Sequence, residues 1–326
     1  MKIDLLFWDC GKLTGGQFDL SWNWGFGYYN ALKRMGMAGY GGLISKYQHT
    51  PSDIVIMVDG IHPCIRKVDG LTPEYFQKIK KQGKKLVVVE YESIFANDKN
   101  VEGGPSKDFL YILKTNKLWN ALMKYADLIC CADPHDSWKI NTQFKSYPKA
   151  VYLPLAIDEE VFKPQEERIW KACFVGSIWI PGRKAIAHQV LPSGLLDLPN
   201  IYHRGITFDT SLKSTRYYNK VAGKYAINLN LPTMFAGLQL RIFETMAMGR
   251  VCFSHKPTNL PGRENLDKSL KNVLWYTSPT EIVPRLQAYL GPYKNNMVNI
   301  GNKAREEVIA KHTHTHRIKT ILANLK

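Results

Sequence analysis

Glu244 and Arg241 lie three residues apart in the segment Arg241-Ile242-Phe243-Glu244-Thr245-Met246-Ala247-Met248-Gly249, a spacing that makes them neighbours on a helix. Phe243, Met246, Ala247 and Val251 share one apolar helical face, and Gly249 supplies the stop before a short strand from Val251. The reading places Glu244 in the first turn, where a helix N-terminus favours negative charge and binds anionic ligands. Arg241 can pair with Glu244 or reach a phosphate. A carboxylate that served only the helix dipole would contribute about 0.3–1 kcal/mol.

Other chemistry-bearing groups fall at the ends of apolar runs, where open parallel sheets bind ligands. Asp59 closes Ile54–Asp59, His62 follows it through Gly60 and Ile61, and Glu90 and Glu92 end the run from Lys85. Ordinary solvated structure is the competing reading for each. Gly11-Lys12-Leu13-Thr14-Gly15-Gly16 follows the first strand, but has neither the Lys-Ser/Thr ending of a P-loop nor Gly-x-Gly-x-x-Gly spacing. His312, His314 and His316 would share a side only in an extended chain; a helix fans them apart. The chain contains no Asp-x-Asp pair, so no metal is implied.

Alternating strands and helices must position these groups, the pattern of an α/β protein with parallel sheets. Strands are expected at Ile3–Trp8, Ile54–Asp59, Lys85–Glu90 and Leu128–Ala132, with helices at Gly25–Met35, Pro73–Gln82 and Asn116–Tyr125. Thr72 before Pro73 is a helix start, with Pro at the first helical position. Around Tyr152–Pro164 the character shifts to a linker, and a second set of strands begins at Lys171–Gly176, then Ala226–Leu229, Val251–Ser254 and Asn272–Tyr276. Residues 299–326 carry helical spacing to the end.

The 326 residues suffice for two domains, and 45% hydrophobic with 22% charged residues is a soluble globular profile. No apolar run approaches the roughly 18–20 residues of a membrane span, and Asp4 interrupts the first apolar run, so a cytoplasmic location without integral membrane contact is expected. Six scattered cysteines form no Cys-x-x-Cys pair and read as buried thiols. Net charge is +16, with 20 basic and 15 acidic side chains in residues 1–155 and 24 and 13 in residues 156–326. That field suits a polyanionic partner, or equally a solvated basic surface around a diphosphate pocket.

Taken in order, several of these pieces resemble GT-B glycosyltransferases, and more narrowly the CgeB-like, spore-protein-type glycosyltransferases related to retaining family 4. The matched pieces are Tyr125–Ile129, Tyr152-Leu153-Pro154 with Asp158 and Phe162-Lys163-Pro164, Phe174-Val175-Gly176-Ser177 with Arg183, the Asn228–Gly249 block, and His312–Arg317. The resemblance implies two Rossmann-like domains facing a cleft: residues 1–155 on the acceptor side, 156–305 binding the nucleotide sugar, and 306–326 as a helix crossing back to the first domain. It implies a UDP-sugar as donor substrate and no permanently bound cofactor.

By the same resemblance Gly176 and Ser177 form the turn beside the donor diphosphate, Arg183 neutralises the leaving group, and Glu244 accepts the ribose hydroxyls. Gly15 and Gly16 face the cleft, and His62 lies near the reacting sugar; Asp59, at the end of its strand, is a further candidate for the chemistry. Family 4 enzymes carry another glutamate eight positions before the ribose glutamate; here that position is Ala236. Donor-sugar contacts are therefore expected from Gly237 or Gln239. The leading acceptor is a hydroxymethylated pyrimidine in DNA, as for phage-type enzymes. The net charge supports it, and Trp22, Trp24, Phe26, Tyr28 and Tyr29 are available to stack a flipped base. A glycan, lipid-linked or cell-envelope acceptor, and a non-catalytic binding protein, are the alternatives.

Overall fold

The computed structural model describes residues 1–7, 24–48, 50–59, 64, 70–91, 94, 115–176, 181–199, 215–232 and 237–325, apart from the side chains of Trp24, Pro181 and residues 215–217. The first sheet is built from β1 (Ile3–Phe7), β2 (Ala38–Leu43), β3 (Ile54–Val58), β4 (Lys85–Glu90), β5 (Leu128–Cys131) and β6 (Ala150–Tyr152). Its order is β2-β1-β3-β4-β5-β6, and every pairing is parallel. The helices between them are α1 (Trp24–Arg34), α2 (Pro73–Lys81), α3 (Lys117–Tyr125) and α4 (Pro134–Gln143).

Alternation along the strands divides the core. Ile3, Leu5, Ile54, Ile56 and Val87 pack with Tyr28 and Leu32 of α1, while Leu6, Val55, Met57, Leu86 and Ile129 face Phe76 of α2 and Trp119 of α3. The strands buried on both faces are continuous apolar runs, which is why they were readable. β2 was not expected, because Ala38-Gly39-Tyr40-Gly41-Gly42-Leu43 has no hydrophobic alternation. The fold demands it there: Asp4 accepts from Tyr40 N at 2.8 Å, and a Cβ at Gly39 or Gly41 would collide with Asp4 or the Tyr29 ring. Helix α4 was also missed, although Asp133 caps it and Pro134 opens it.

The second sheet holds β7 (Ile169–Cys173), β8 (Leu196–Asp197), β9 (Tyr225–Asn230), β10 (Val251–His255) and β11 (Val273–Tyr276) in the parallel order β11-β10-β9-β7-β8. Helices α5 (Pro181–Val190), α6 (Thr215–Ala222) and α7 (Leu240–Ala247) connect them, followed by α8 (Ile282–Leu290), α9 (Lys294–Lys311) and α10 (His314–Asn324). Helix α10 returns to the first domain and packs on α1. There Ile318 and Ile321 join the core of the first sheet. Gly249 does end α7, with φ 66°.

One expectation about α7 fails. The helix starts at Leu240 with Gln239 as its cap, and no acidic residue lies in the first turn. Glu244 is therefore in the second turn, out of reach of the free N–H groups that would hold an anion. Its stabilisation comes from Arg241 instead.

Candidate functional site

Helix α7 is buried almost all round, from Ile242 to Ala247, so Glu244 is carried into the interior with only 2% exposure. Burial raises the Glu244 carboxyl above the usual range and the Arg241 charge opposes that rise. Arg241 Nη1 donates to Glu244 Oε2 at 2.8 Å, and its guanidinium lies 3.8 Å from the centre of the Tyr218 ring on α6. The ring and the carboxylate fix the orientation of Arg241.

Arg183 enters from α5. Its Nε donates to the Pro232 carbonyl, just past β9, at 2.5 Å, and its guanidinium stands 5.8 Å from the Phe174 ring, just past β7. Burial lowers Arg183 to about 10; the nearby Arg241 adds to that shift and Tyr276 opposes it. Two cations thus feel each other in a partly desolvated space, which an anionic ligand would relieve. The sheet order reverses between β7 and β9, so Gly176, Arg183 and Pro232 mark the switch-point crevice at the strands' C-terminal ends. Gly237 and Gln239 belong to the same edge, where Gln239 Nε2 donates to the Leu231 carbonyl at 3.2 Å. That bond braces the entry to α7.

In the first sheet the order reverses between β1 and β3. Asp59 ends β3 there, nearly buried, in the left-handed region at φ 59°, where a non-glycine residue is uncommon. Its N–H donates to the Val89 carbonyl at 2.7 Å. Glu90 is fully buried at the end of β4. Gly15, Gly16, His62, Glu92, Ser177 and Ala236 lie outside the described residues.

Three features escaped the sequence reading. Tyr218 was invisible as the platform for Arg241, since nothing in its own segment marks it. The second is a bond between the sheets: Asp133, at the end of β5, receives Arg263 Nε at 2.8 Å and Arg263 Nη2, and both side chains are buried. Beside it His135 Nδ1 bonds the Pro261 carbonyl at 2.8 Å, while Gly262, at φ 86°, packs on Pro134. Asp-Pro before a helical stretch and the Pro261-Gly262 turn were the available signals. The third is a buried hub: Asp4 accepts from Tyr47, Thr50, Ser52 and Tyr40 N, with Lys84 Nζ at 3.7 Å.

The histidine tail is structural. His312 packs on Phe243 and meets Arg317, His314 is buried against Tyr28 and Gly27, and His316 bonds Thr313. Among the described residues no group of three or more His, Cys, Asp or Glu is placed to hold a metal. Of the aromatics expected to stack a base, Tyr28 is core and Tyr29 packs on Gly41 and Lys33. Trp22 and the Trp24 side chain lie outside the described residues.

Residues 199–323, which include Glu244, Arg241 and Arg263, match the family model described as glycosyl transferase-like. No curated protein matches the chain by sequence. Among solved structures, Anabaena HepE in complex with UDP aligns with TM-score 0.61 at 11% identity, covering 100% of this chain and 99% of that one. Sucrose-phosphate synthase from Thermosynechococcus elongatus aligns at 0.58 and 9% identity, again over 100% and 99%. The chain spans 58% of TarM, at TM-score 0.55 and 13% identity over 93% of its own length. The fold is GT-B, as the resemblance implied. The likeness to a glycosyl transferase-like model is confined to residues 199–323.

Proposed function

We propose that the protein transfers a sugar from a UDP-sugar to an acceptor hydroxyl, between a donor domain at 156–305 and an acceptor domain at 1–155, with 306–326 crossing back. The observation that carries this is the meeting of Arg183, Arg241 and Glu244 at the second sheet's switch point, within the glycosyl transferase-like stretch. UDP as the nucleotide follows the Anabaena neighbour, whose structures hold UDP and UDP-glucose. Glu244 accepts the ribose hydroxyls, while Gly176, Ser177 and Arg183 face the diphosphate. As the bond to the anomeric carbon breaks, the charge gathering on the leaving phosphate is stabilised by Arg183 and Arg241. Gly237 and Gln239 border the sugar, and Gly15, Gly16, Asp59 and His62 close the site from the first domain. Retention of anomeric configuration and a CgeB-like subtype are what the sequence resemblance supports.

For the acceptor we keep hydroxymethylated DNA; the +16 charge supports it, while Tyr28 and Tyr29 are committed to packing and no longer do. A glycan acceptor is favoured by a different observation: the structural neighbour TarM of S. aureus, as a point mutant, has been solved in complex with fondaparinux, α-GlcNAc-glycerol and UDP. No helix among the described residues is long and apolar enough to cross a membrane, and a cytoplasmic site of action belongs to the same proposal. The test is incubation with labelled UDP-sugars and hydroxymethylated DNA, unmodified DNA or oligosaccharide acceptors, read by mass spectrometry. Transfer to modified DNA alone supports the DNA reading, and transfer only to oligosaccharide replaces it. Donor hydrolysis that disappears in Glu244→Ala removes the non-catalytic alternative.

A further inference from the structure

Arg263 has one more arm than its known partner uses. Its Nε and Nη2 hold the two carboxylate oxygens of Asp133, while Nη1 is buried with no hydrogen-bond partner among the described residues. Leaving a buried guanidinium N–H unpaired is costly, so an acceptor oxygen at Nη1 would be strongly favoured. The planar fork sets the direction: with the Nε–Nη2 edge on Asp133, the Nη1 N–H groups turn away from that carboxylate.

The neighbourhood identifies the ligand. Gly237 adjoins Asp133, since a Cβ there would stand 3.5 Å from Asp133 Oδ2. Along the chain, Glu244 leads back to Arg241, to the cap Gln239, and then to Gly237 beside the Asp133–Arg263 pair. At ~1.5 Å per helical residue and ~3.3 Å per extended residue, Glu244 and Gly237 are roughly 16 Å apart along that path. With ribose at Glu244 and diphosphate at Arg241 and Arg183, the next group of the donor is its sugar.

We propose that Arg263 is a donor-sugar contact, Nη1 donating to an oxygen of the transferred sugar while Nε and Nη2 hold Asp133 across the domains. This rests on the donor assignment above. Nη1 is closed off from solvent, so the sugar enters while the domains are apart and Asp133 closes onto Arg263 afterwards. A single side chain then reports sugar occupancy to the first domain.

The experiment measures Kd by calorimetry for UDP, UDP-glucose, UDP-galactose and UDP-N-acetylglucosamine, using full-length protein. The readout is the ratio of the UDP Kd to that of the tightest UDP-sugar. Arg263→Lys keeps a cation for Asp133 but removes the spare arm, so the UDP Kd stays within twofold while the ratio falls about three- to tenfold. Asp133→Asn, the second variant should Arg263→Lys not fold, keeps the wild-type ratio even if both affinities fall, because Nη1 is untouched. An unchanged ratio in Arg263→Lys, or a ratio lost in Asp133→Asn, overturns the proposal and leaves Arg263 as a domain clamp only. Wild-type protein that binds neither UDP nor any UDP-sugar overturns the donor assignment itself, a result distinct from a lost ratio.

Discussion

Replacing Glu244 by glutamine tests the nucleotide end of the site with the least disturbance of packing. The side chain is 2% exposed in a fully packed helix, and glutamine keeps its volume and one acceptor oxygen while removing the charge. Hydrogen bonds to a charged group contribute about 1.5–3 kcal/mol, and neutral ones about 0.5–1.5 kcal/mol. Two ribose hydroxyls together lose roughly 2–3 kcal/mol, which at about 1.4 kcal/mol per decade weakens UDP binding about 30- to 140-fold. One effect opposes this. Arg241, now 2.8 Å from Glu244, is released toward the diphosphate, so UDP falls at the low end of the range and uridine, with no phosphate, loses more. Calorimetry with UDP and uridine, beside a thermal melt, measures both. UDP affinity within twofold of wild type in a cooperatively folded Glu244→Gln protein would refute the assignment of ribose to this residue.

Three further outcomes follow from the same structure. Arg183→Ala lowers donor turnover by about 10²-fold, the usual consequence of removing one charge-stabilising donor, measured as UDP release under saturating UDP-sugar. His314 is buried and held at about 4, below its ordinary value, with Arg317 and Arg34 opposing protonation and Asp158 and the Ile157 carbonyl favouring it. Its folded value lies below the unfolded one, so its stabilising contribution is complete above about pH 6.5 and is lost as pH falls toward 4; urea melts across that window show the decline, and it shrinks in His314→Asn. Asp4→Asn leaves Lys84, 4% exposed, without its counter-charge and lowers stability by about 3–5 kcal/mol, read as a shift in the urea midpoint.

Legibility followed the kind of signal each element carries. β1, β3, β4 and β5 are short, mostly apolar runs and were found within a residue at either end. β2 and α4 were not, because β2 is half-buried and glycine-rich and α4 carries a weak apolar stripe. At the site, Glu244, Arg241 and Arg183 were all named from sequence, and the structure joins them through one hydrogen bond and the mutual influence of the two arginines. The error in the Glu244 position arose because α7 begins one residue before Arg241, at a cap whose side chain bonds Leu231 rather than its own helix. Boundaries of this kind depend on where the preceding loop is anchored.

The sequence by itself determined the alternation of apolar runs with amphipathic stretches, hence two parallel sheets, the residues buried on each face, and the helix that carries Arg241 and Glu244. Those are local matters, set by side-chain period and stop residues. Tertiary structure alone decided the ring under Arg241, the contact of Asp133 with Arg263, and the use of the three tail histidines as packing rather than ligands. Each joins groups from 23 to 286 positions apart in the chain, such as Tyr218 with Arg241 and Tyr28 with His314. Such pairs leave no periodic trace, because their geometry exists only once the two sheets and the returning α10 have packed.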